Sequence, residues 1–351
     1  MFEPDYRMIV DAAFNRKPRR LPVYEHIISD VFMEKCTGKK FAALLNGNDS
    51  DLGEYFNHYC GFFKEMTYDA VSFEVCITSI LPDSGAIAGG RPGPIQSRKD
   101  FEAYPWDELP NKFWEIADRR FSMLTRSLPA GTKAVGGPGN GVFELSEDLV
   151  GYEYLSYMQV DDPGLLAQVY SKIGDLMCAI WEEFLKRYGQ YFCVYRFGDD
   201  LGFKTGLLPT AKMFYENIMP QYKKLITLIH RHNKPFLWHS CGNIFEIMED
   251  MLSAGIDAKH SNEDQIAPFE RWIDLYGSRI GLFGGIDVDL LCTAKPDEVF
   301  RIVTEKAKMF RSKSKGFALG SGNSIPDYIP AQAYIAMIEA AKKVRMDEQD
   351  K

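Results

Sequence analysis

The sequence lacks the long uncharged apolar runs that a membrane-spanning helix requires. Its longest such runs, for example 134–142, are short and glycine-rich, and the first twenty residues carry charges where a signal peptide has its apolar core. A basic surplus is also absent, because 41 Lys and Arg stand against 49 Asp and Glu, a formal charge of -8. These absences argue against a membrane protein and against a nucleic-acid partner, which needs a basic face. We therefore expect a cytoplasmic protein.

Cysteine is sparse and has no paired spacing. Seven cysteines are spread over 351 residues, so a disulfide scaffold is not expected and most of them are predicted to be small core residues. Linkers rich in proline, serine or glycine are missing as well. Since 46% of the residues are hydrophobic, the chain has enough apolar material to fold throughout its length.

Short apolar runs alternate with longer segments whose apolar residues recur every three or four positions. This alternation indicates strands that are each followed by a helix. Eight such runs occur, at 20–27, 68–75, 133–140, 193–200, 235–242, 257–264, 279–287 and 315–323.

Eight strand and helix repeats without a break in composition predict an α/β fold, a single (β/α)8 TIM barrel that spans residues 1–351. A barrel core needs about 250 residues. We assign the surplus mainly to an N-terminal helical extension over 1–19 and a helical connection over 28–66. A doubly wound open sheet is the structural alternative.

Polar side chains stand at the ends of these runs, and in a barrel of this kind strand ends form the rim on which active sites are built. The rim residues so predicted are Glu25, His26, Glu74, Cys76, Asn140, Asp199, Asp200, His239, Cys241, Asn262, Glu263, Asp287, Ser321 and Asn323.

The sharpest local feature is the stretch PFLWHSCGN at 235–243. Residues two apart on a strand share a face, so His239 and Cys241 are predicted to lie on the same side. Imidazole nitrogen and thiolate are preferred zinc ligands, and a catalytic zinc takes three protein ligands and keeps one position open. A core cysteine beside a structural histidine is the alternative, because a histidine and cysteine two apart is a weak pattern.

Several stretches together resemble the uroporphyrinogen decarboxylase superfamily, in an order that covers almost the whole chain. They are PFLWHSCGN, LFGGID at 282–287, FGDDLG at 197–202 and LPTAKMF at 208–214 with Pro220. The resemblance implies a single (β/α)8 barrel. It also implies one of two activities, a cofactor-free decarboxylation of uroporphyrinogen or a zinc-dependent methyl transfer linked to a corrinoid.

The decarboxylase branch carries an arginine-rich stretch after the first strand, which holds the carboxylates of the substrate. This chain has HIISDV at 26–31 there, without an arginine. Many substrate carboxylates would then lack a partner, which argues against decarboxylation. The methyltransferase branch uses a His-x-Cys pair on the fifth strand, which His239 and Cys241 match, and a cysteine after the eighth, where this chain has Ser321.

A serine is a poor zinc ligand, so another rim residue must complete the site if a metal is present. Strand alternation places Glu74 at the rim, and a carboxylate is an accepted ligand beside histidine and cysteine. We predict Glu74 as the third ligand, with a salt bridge to a rim arginine as the alternative. Cys76 is a second candidate, and Glu25 or His26 a third.

Other rim residues receive weaker assignments. Only one of the adjacent Asp199 and Asp200 can face the barrel, where it would bind a leaving group or act as an acid; capping of the helix that follows is the alternative. Both are retained as catalytic candidates. The candidates for substrate binding are His26, Asn140, Phe143 and Arg196.

Fewer thiolates leave a zinc ion a stronger Lewis acid, which suits removal of a methyl group from a small methylated substrate. The methyl would pass to a corrinoid on a separate carrier protein, because the chain has no D-x-H-x-x-G pattern. A decarboxylase of another acid and a barrel without catalysis remain alternatives. The chain is expected to be a monomer or a homodimer.

Overall fold

The computed structural model describes residues 2–349, and at its centre is a curved sheet of seven parallel strands in the order β1-β2-β3-β6-β7-β8-β9. A short antiparallel hairpin, β4–β5, follows β3. The strands are β1 Val71–Cys76, β2 Ala134–Gly139, β3 Phe192–Gly198, β4 Gly202–Phe203, β5 Gly206–Leu207, β6 Phe236–His239, β7 Ala258–His260, β8 Gly281–Ile286 and β9 Phe317–Ser321.

Helices surround the sheet, and α1 to α3 lie in the parts predicted as extension and connection. No helix among residues 2–349 combines the length and the apolar character needed to cross a bilayer. The helices are α1 Arg7–Ala13, α2 Asp30–Thr37, α3 Asp49–Glu65, α4 Arg98–Ala103, α5 Leu109–Ser127, α6 Val142–Val150, α7 Tyr152–Asp161, α8 Pro163–Tyr188, α9 Ala211–Met213, α10 Met219–His230, α11 Met248–Ala254, α12 Phe269–Tyr276, α13 Val288–Thr293, α14 Pro296–Lys313 and α15 Ala331–Gln349.

The predicted TIM-barrel class is confirmed, and seven of the eight predicted runs contain a strand of the sheet. The prediction of a strand over 20–27 is wrong. That segment meets β9 through one isolated parallel bridge, Val23 with Leu319. The Tyr24 N–H donates to the Leu319 carbonyl. Pro22, two residues earlier, has no N–H with which to continue the ladder on the same side.

The irregular segment nevertheless fills the gap between the two outer strands of the sheet. A Cβ at Gly320 would lie 1.8 Å from the Tyr24 carbonyl oxygen, so only glycine permits this approach to β9. On the other side, the Ser72 hydroxyl of β1 donates to the Glu25 carbonyl. The segment therefore closes the barrel through an isolated backbone bridge to β9 and a side-chain hydrogen bond from β1.

The inside of the barrel is layered, and the layering decides where a site can form. At the amino-terminal end a small apolar cluster joins buried residues of α1 to inward side chains of the strands, among them Val194, Leu237 and Ala258. Two residues further along each strand the inward side chain is Arg196, His239 and His260, respectively. A polar layer thus lies above an apolar floor, at the carboxyl end of the strands.

Candidate metal centre

His239 and Cys241 lie together at the carboxyl end of β6. His239 Nε2 is 3.4 Å from Cys241 Sγ, as the i, i+2 spacing predicts. The loop after the strand is held by Gly242, whose φ of +78° and close approach to the Gly202 backbone both require glycine. The hairpin β4–β5 therefore packs directly against the loop that carries Cys241.

Asp200 brings a third potential ligand to the same place. Its Oδ1 accepts the Cys241 N–H at 2.9 Å and lies 3.9 Å from His239 Nε2. One ligand atom from each of Asp200, His239 and Cys241 lies within 4.8 Å of the others. The Asp200 side chain is 47% exposed, whereas His239 is buried, so the group is open on the carboxylate side.

A hydrogen-bond relay determines which nitrogen of His239 faces Cys241. The Ser321 carbonyl can only accept, so His260 Nε2, 3.0 Å away, carries hydrogen. Burial lowers the pKa of His260 to about 3, so the ring is neutral and its Nδ1 accepts from His239 Nδ1 at 2.7 Å. Burial also lowers the pKa of His239. The neutral His239 therefore has its free lone pair on Nε2, next to Cys241 Sγ.

A second group of possible ligands, His26, His239 and His260, is less suited to a metal ion. The rings of His26 and His239 stack at 3.7 Å with an interplanar angle of 8°, so their in-plane lone pairs run parallel and do not converge. The 2.7 Å between the Nδ1 atoms of His239 and His260 is a hydrogen bond. Two nitrogens on one tetrahedral zinc would be about 3.3 Å apart.

The donor set at Cys241 fits a cation. Burial raises the pKa of the Cys241 thiol, so its thiolate needs a positive partner to persist. Asn323 Nδ2 donates to Sγ at 3.2 Å, and Asn323 Oδ1 accepts the Ser324 N–H, which fixes the orientation of the amide. A neutral imidazole, a sulfur that accepts a hydrogen bond and a carboxylate are together a competent zinc ligand set.

Glu74 belongs to neither group of potential ligands among residues 2–349. Its carboxylate forms an ion pair with Arg196 at 2.6 Å, which is the alternative that the sequence left open. Arg196 is fully buried and also donates to the Tyr24 hydroxyl and to the His26 carbonyl. Among the described residues its Nε alone has no partner, so little of Arg196 is left for a substrate.

The Asp199 side chain is at the start of a helix and belongs to neither group of potential ligands among residues 2–349. It is buried and accepts the N–H groups of Phe143 and Glu144 and the Tyr222 hydroxyl. It therefore caps α6, the helix after β2, whereas capping of the helix after its own strand was the alternative predicted. Burial raises the pKa of Asp199 to about 6. The Phe143 ring is 1% exposed and packs in the core.

Asn140, His26 and Ser321 each have a defined place near these groups. Asn140 has a φ of +68°; its side chain accepts from Thr78 and donates to Glu144. His26 is buried, and its Nδ1 has no partner within residues 2–349. The Ser321 hydroxyl, at the position expected for a cysteine, is bound to Glu25.

Sequence reasoning missed His260 and Glu144. His260 lies within the run DAKHSNED and ends β7, and strand parity with His239 on the neighbouring strand would have identified it. Glu144 Oε1 accepts the Asp200 N–H at 3.3 Å, and burial together with the charges of Asp199 and Asp200 raises its pKa. No motif marks Glu144, because it follows β2 while Asp200, whose N–H it accepts, follows β3.

Comparisons with known proteins agree with this architecture. A methyltransferase from Methanosarcina mazei has a similar structure, with a TM-score of 0.76 and 16% identity over 97% of this chain and 99% of that one. A glycoside hydrolase family 5 enzyme from Prevotella bryantii B14 has 9% identity and covers 97% and 99%, and a beta-glycosidase from Thermosphaera aggregans has 11% identity and covers 99% and 98%. Both reach a TM-score of only 0.43, too low to support an argument.

No curated protein matches the chain. The family model for uroporphyrinogen decarboxylase (URO-D) matches residues 63–344, which is well over half of the chain and includes all nine strands. The structural neighbour from Methanosarcina mazei supports the shared barrel fold. The chain belongs to the uroporphyrinogen decarboxylase family.

Proposed function

We propose that the chain is a zinc-dependent methyltransferase that moves a methyl group between a small methylated substrate and a corrinoid carried by a partner protein. The relay from the Ser321 carbonyl through His260 to His239 carries this proposal, because it leaves the Nε2 lone pair beside Cys241. Family membership and the fold shared with a methyltransferase support it.

His239, Cys241 and Asp200 are the residues that would hold the ion. Asp200 replaces Glu74 as the proposed third ligand, because Asp200 contacts the Cys241 loop while Glu74 is paired with Arg196. The exposed side of Asp200 leaves room for a substrate atom at a fourth position, as in catalytic zinc sites.

Bound zinc would supply Lewis-acid polarisation of the oxygen or sulfur that carries the methyl group, more strongly with one thiolate ligand than with two. The protein residues orient the ligands. His260 holds the His239 ring, and Asn323 stabilises negative charge on Cys241 by donating to its sulfur. This arrangement favours demethylation of the substrate, with the corrinoid of the carrier as methyl acceptor.

Metal analysis of the purified protein tests the proposal. We expect about one zinc per wild-type chain, and loss of that zinc in His239→Ala and in Cys241→Ala. Cys178→Ala, a half-buried cysteine on α8, is the matched control and is expected to keep the metal. A zinc-free wild type would contradict the proposal, and it is the result that a decarboxylase or a barrel without catalysis predicts.

Activity assays then test the reaction. The zinc-loaded protein is mixed with a reduced corrinoid on a carrier and with a panel of methyl ethers, thioethers and thiols, and methylation of cobalt is followed by absorbance. We expect methyl-cobalt formation with at least one ether or thioether, abolished in Cys241→Ala. Methyl transfer only from the corrinoid to a thiol would reverse the proposed direction.

A further inference from the structure

Lys259, on β7, is a buried cation that the proposed function does not yet use. It is 2% exposed, and its side chain lies on the outer face of the strand, opposite to that of His260. Its Nζ is 3.8 Å from the centroid of the Trp272 ring and donates to the Ser261 carbonyl. Lys259 forms no ion pair with a carboxylate among residues 2–349. A buried ammonium group is costly unless a negative charge lies near it.

Cys241 is the negative group with the strongest influence on Lys259. Burial lowers the pKa of Lys259 to about 7, and the charge of Cys241 is the largest of those that raise it. Glu263 and Asp200 have smaller effects on the same pKa. Ser261 links the two side chains, because its carbonyl accepts from Lys259 and its hydroxyl lies 3.6 Å from Cys241 Sγ. Lys259 therefore acts electrostatically on the sulfur of the candidate metal centre.

We infer that Lys259 acts through Cys241 as a positioning residue, whose positive charge holds electron density on the sulfur and so makes a bound zinc ion a stronger Lewis acid. The inference rests on the proposed function. Charges act strongly on one another in a buried region because little solvent screens them. A thiolate that is stabilised by a neighbouring cation donates less to its metal ion. Lys259 would thus add to the effect of having one thiolate ligand instead of two.

The cobalt-substituted protein tests the inference without an activity assay. A thiolate ligand gives Co²⁺ a charge-transfer absorption band in the near ultraviolet, whose energy depends on how firmly the sulfur holds its electrons. We expect Lys259→Met, which keeps the length of the side chain and removes its charge, to move this band to longer wavelength at about pH 6.5. Lys259→Gln is a second neutral variant and should move the band in the same direction. An unmoved band at full cobalt occupancy would overturn the inference.

Lys259→Arg separates the charge from the shape of the side chain. This variant keeps a positive charge, so its cobalt band should stay near the wild-type position. A shift as large as in Lys259→Met would mean that the charge is not the cause, and it would also overturn the inference.

Lys234 offers a matched control at the other end of the sheet. It precedes β6, donates to the Gly189 and Phe192 carbonyls, and its Nζ lies 5.3 Å from the centroid of the Tyr195 ring. Burial lowers its pKa to about 8. Lys234→Met therefore removes a similar ammonium group from the amino-terminal side of the barrel and should leave the cobalt band unchanged. A shift as large as in Lys259→Met would show a general loss of packing and would overturn the inference.

Methyl transfer gives a second readout. The zinc-loaded protein is mixed with a reduced corrinoid and with the methyl ether or thioether of the panel that reacts fastest. We expect kcat to fall by about tenfold to 100-fold in Lys259→Met, at unchanged zinc stoichiometry, and to recover in large part in Lys259→Arg. An unchanged kcat in Lys259→Met would contradict the inference.

The cobalt band also separates this inference from the proposed function. If the wild type takes up neither zinc nor cobalt, or shows no thiolate band, the proposed function fails and the inference fails with it. If the wild type shows the band and transfers methyl groups while Lys259→Met behaves in the same way, the inference alone fails and the methyltransferase stands.

Discussion

The two sides of the barrel rim carry similar residue types but use them differently. On the side of β1 to β3, Glu74 is paired with Arg196, and Asp199 caps α6. On the side of β6 and β7, His239 and Cys241 approach Asp200 from the loop after β3, with a lone pair free on His239 Nε2. A polar side chain at a strand end can therefore serve as a metal ligand here only where neighbouring residues do not already occupy it with an ion pair or with hydrogen bonds.

The largest expected effect is a loss of folding stability, and it comes from a substitution on the β1 side of the rim. Glu74→Ala removes the partner of a fully buried guanidinium and should lower the free energy of unfolding by about 3–5 kcal/mol. Denaturant unfolding measures this, and metal analysis should still find zinc. The double variant Glu74→Leu with Arg196→Met should recover much of the loss. Zinc loss in Glu74→Ala with stability intact would place Glu74 on the metal after all.

Asp200→Ala should show the opposite pattern. Loss of a ligand is expected to weaken zinc binding by about 100-fold or more, while the zinc-free protein changes in stability by about 1 kcal/mol or less because the side chain is 47% exposed. Competition with a chelator measures the affinity. Unchanged affinity would show that a carboxylate other than Asp200, or none, completes the site.

Asp199→Ala tests whether the adjacent residues Asp199 and Asp200 have different roles. Removal of its carboxylate leaves two backbone N–H groups of α6 and the Tyr222 hydroxyl without an acceptor, so the free energy of unfolding should fall by about 2 kcal/mol. Urea unfolding of the zinc-free protein measures this, and zinc affinity should change less than in Asp200→Ala. A larger change in zinc affinity than in Asp200→Ala would reverse the assignment of the pair.

His260→Ala tests the relay that fixes His239. The variant leaves the His239 Nδ1–H without its acceptor, so zinc affinity should fall by about tenfold to 100-fold while the stoichiometry at saturating zinc is kept. His230→Ala, a half-exposed histidine on α10 paired with Asp257, is the control. An effect no larger than in the control would mean that the relay does not orient His239.

Glu25, which lies between the two sides and is bound to Ser321, gives an effect that is spread over several pH units and is the smallest for a single step of one pH unit. Burial raises its pKa to about 8 from an ordinary value of 4.5, so the folded protein keeps a proton that the unfolded chain releases. Its contribution to stability is therefore present below about pH 4.5 and is lost as the pH rises to 8. Unfolding free energies at pH 5, 6, 7 and 8 should decline in the wild type by at most about 1.4 kcal/mol per pH unit from this group, and less in Glu25→Gln. Identical slopes would contradict the assignment.

The barrel could be predicted from the sequence because the local spacing of apolar residues indicates which segments form strands and which form helices. The strand prediction for 20–27 was wrong because a single proline, Pro22, ends the hydrogen-bond ladder without changing the apolar periodicity. Strand parity also correctly predicted the pairing of His239 with Cys241.

The third ligand could not be predicted in the same way. Glu74 and Asp200 are both carboxylates at strand ends, but they have different partners. Glu74 contacts Arg196, 122 residues away in the sequence, whereas Asp200 contacts the Cys241 N–H. The choice therefore depends on tertiary distances that no local pattern encodes. His260 could have been found, since it aligns with His239 on adjacent strands.

X-ray absorption at the zinc edge of the wild-type protein tests the difference between the two sides most directly. Binding by Asp200, His239 and Cys241 predicts one sulfur at about 2.3 Å and nitrogen or oxygen ligands at about 2.0–2.2 Å. A zinc shell without sulfur, as the group His26, His239 and His260 would give, would contradict this account, as would a protein that binds no zinc.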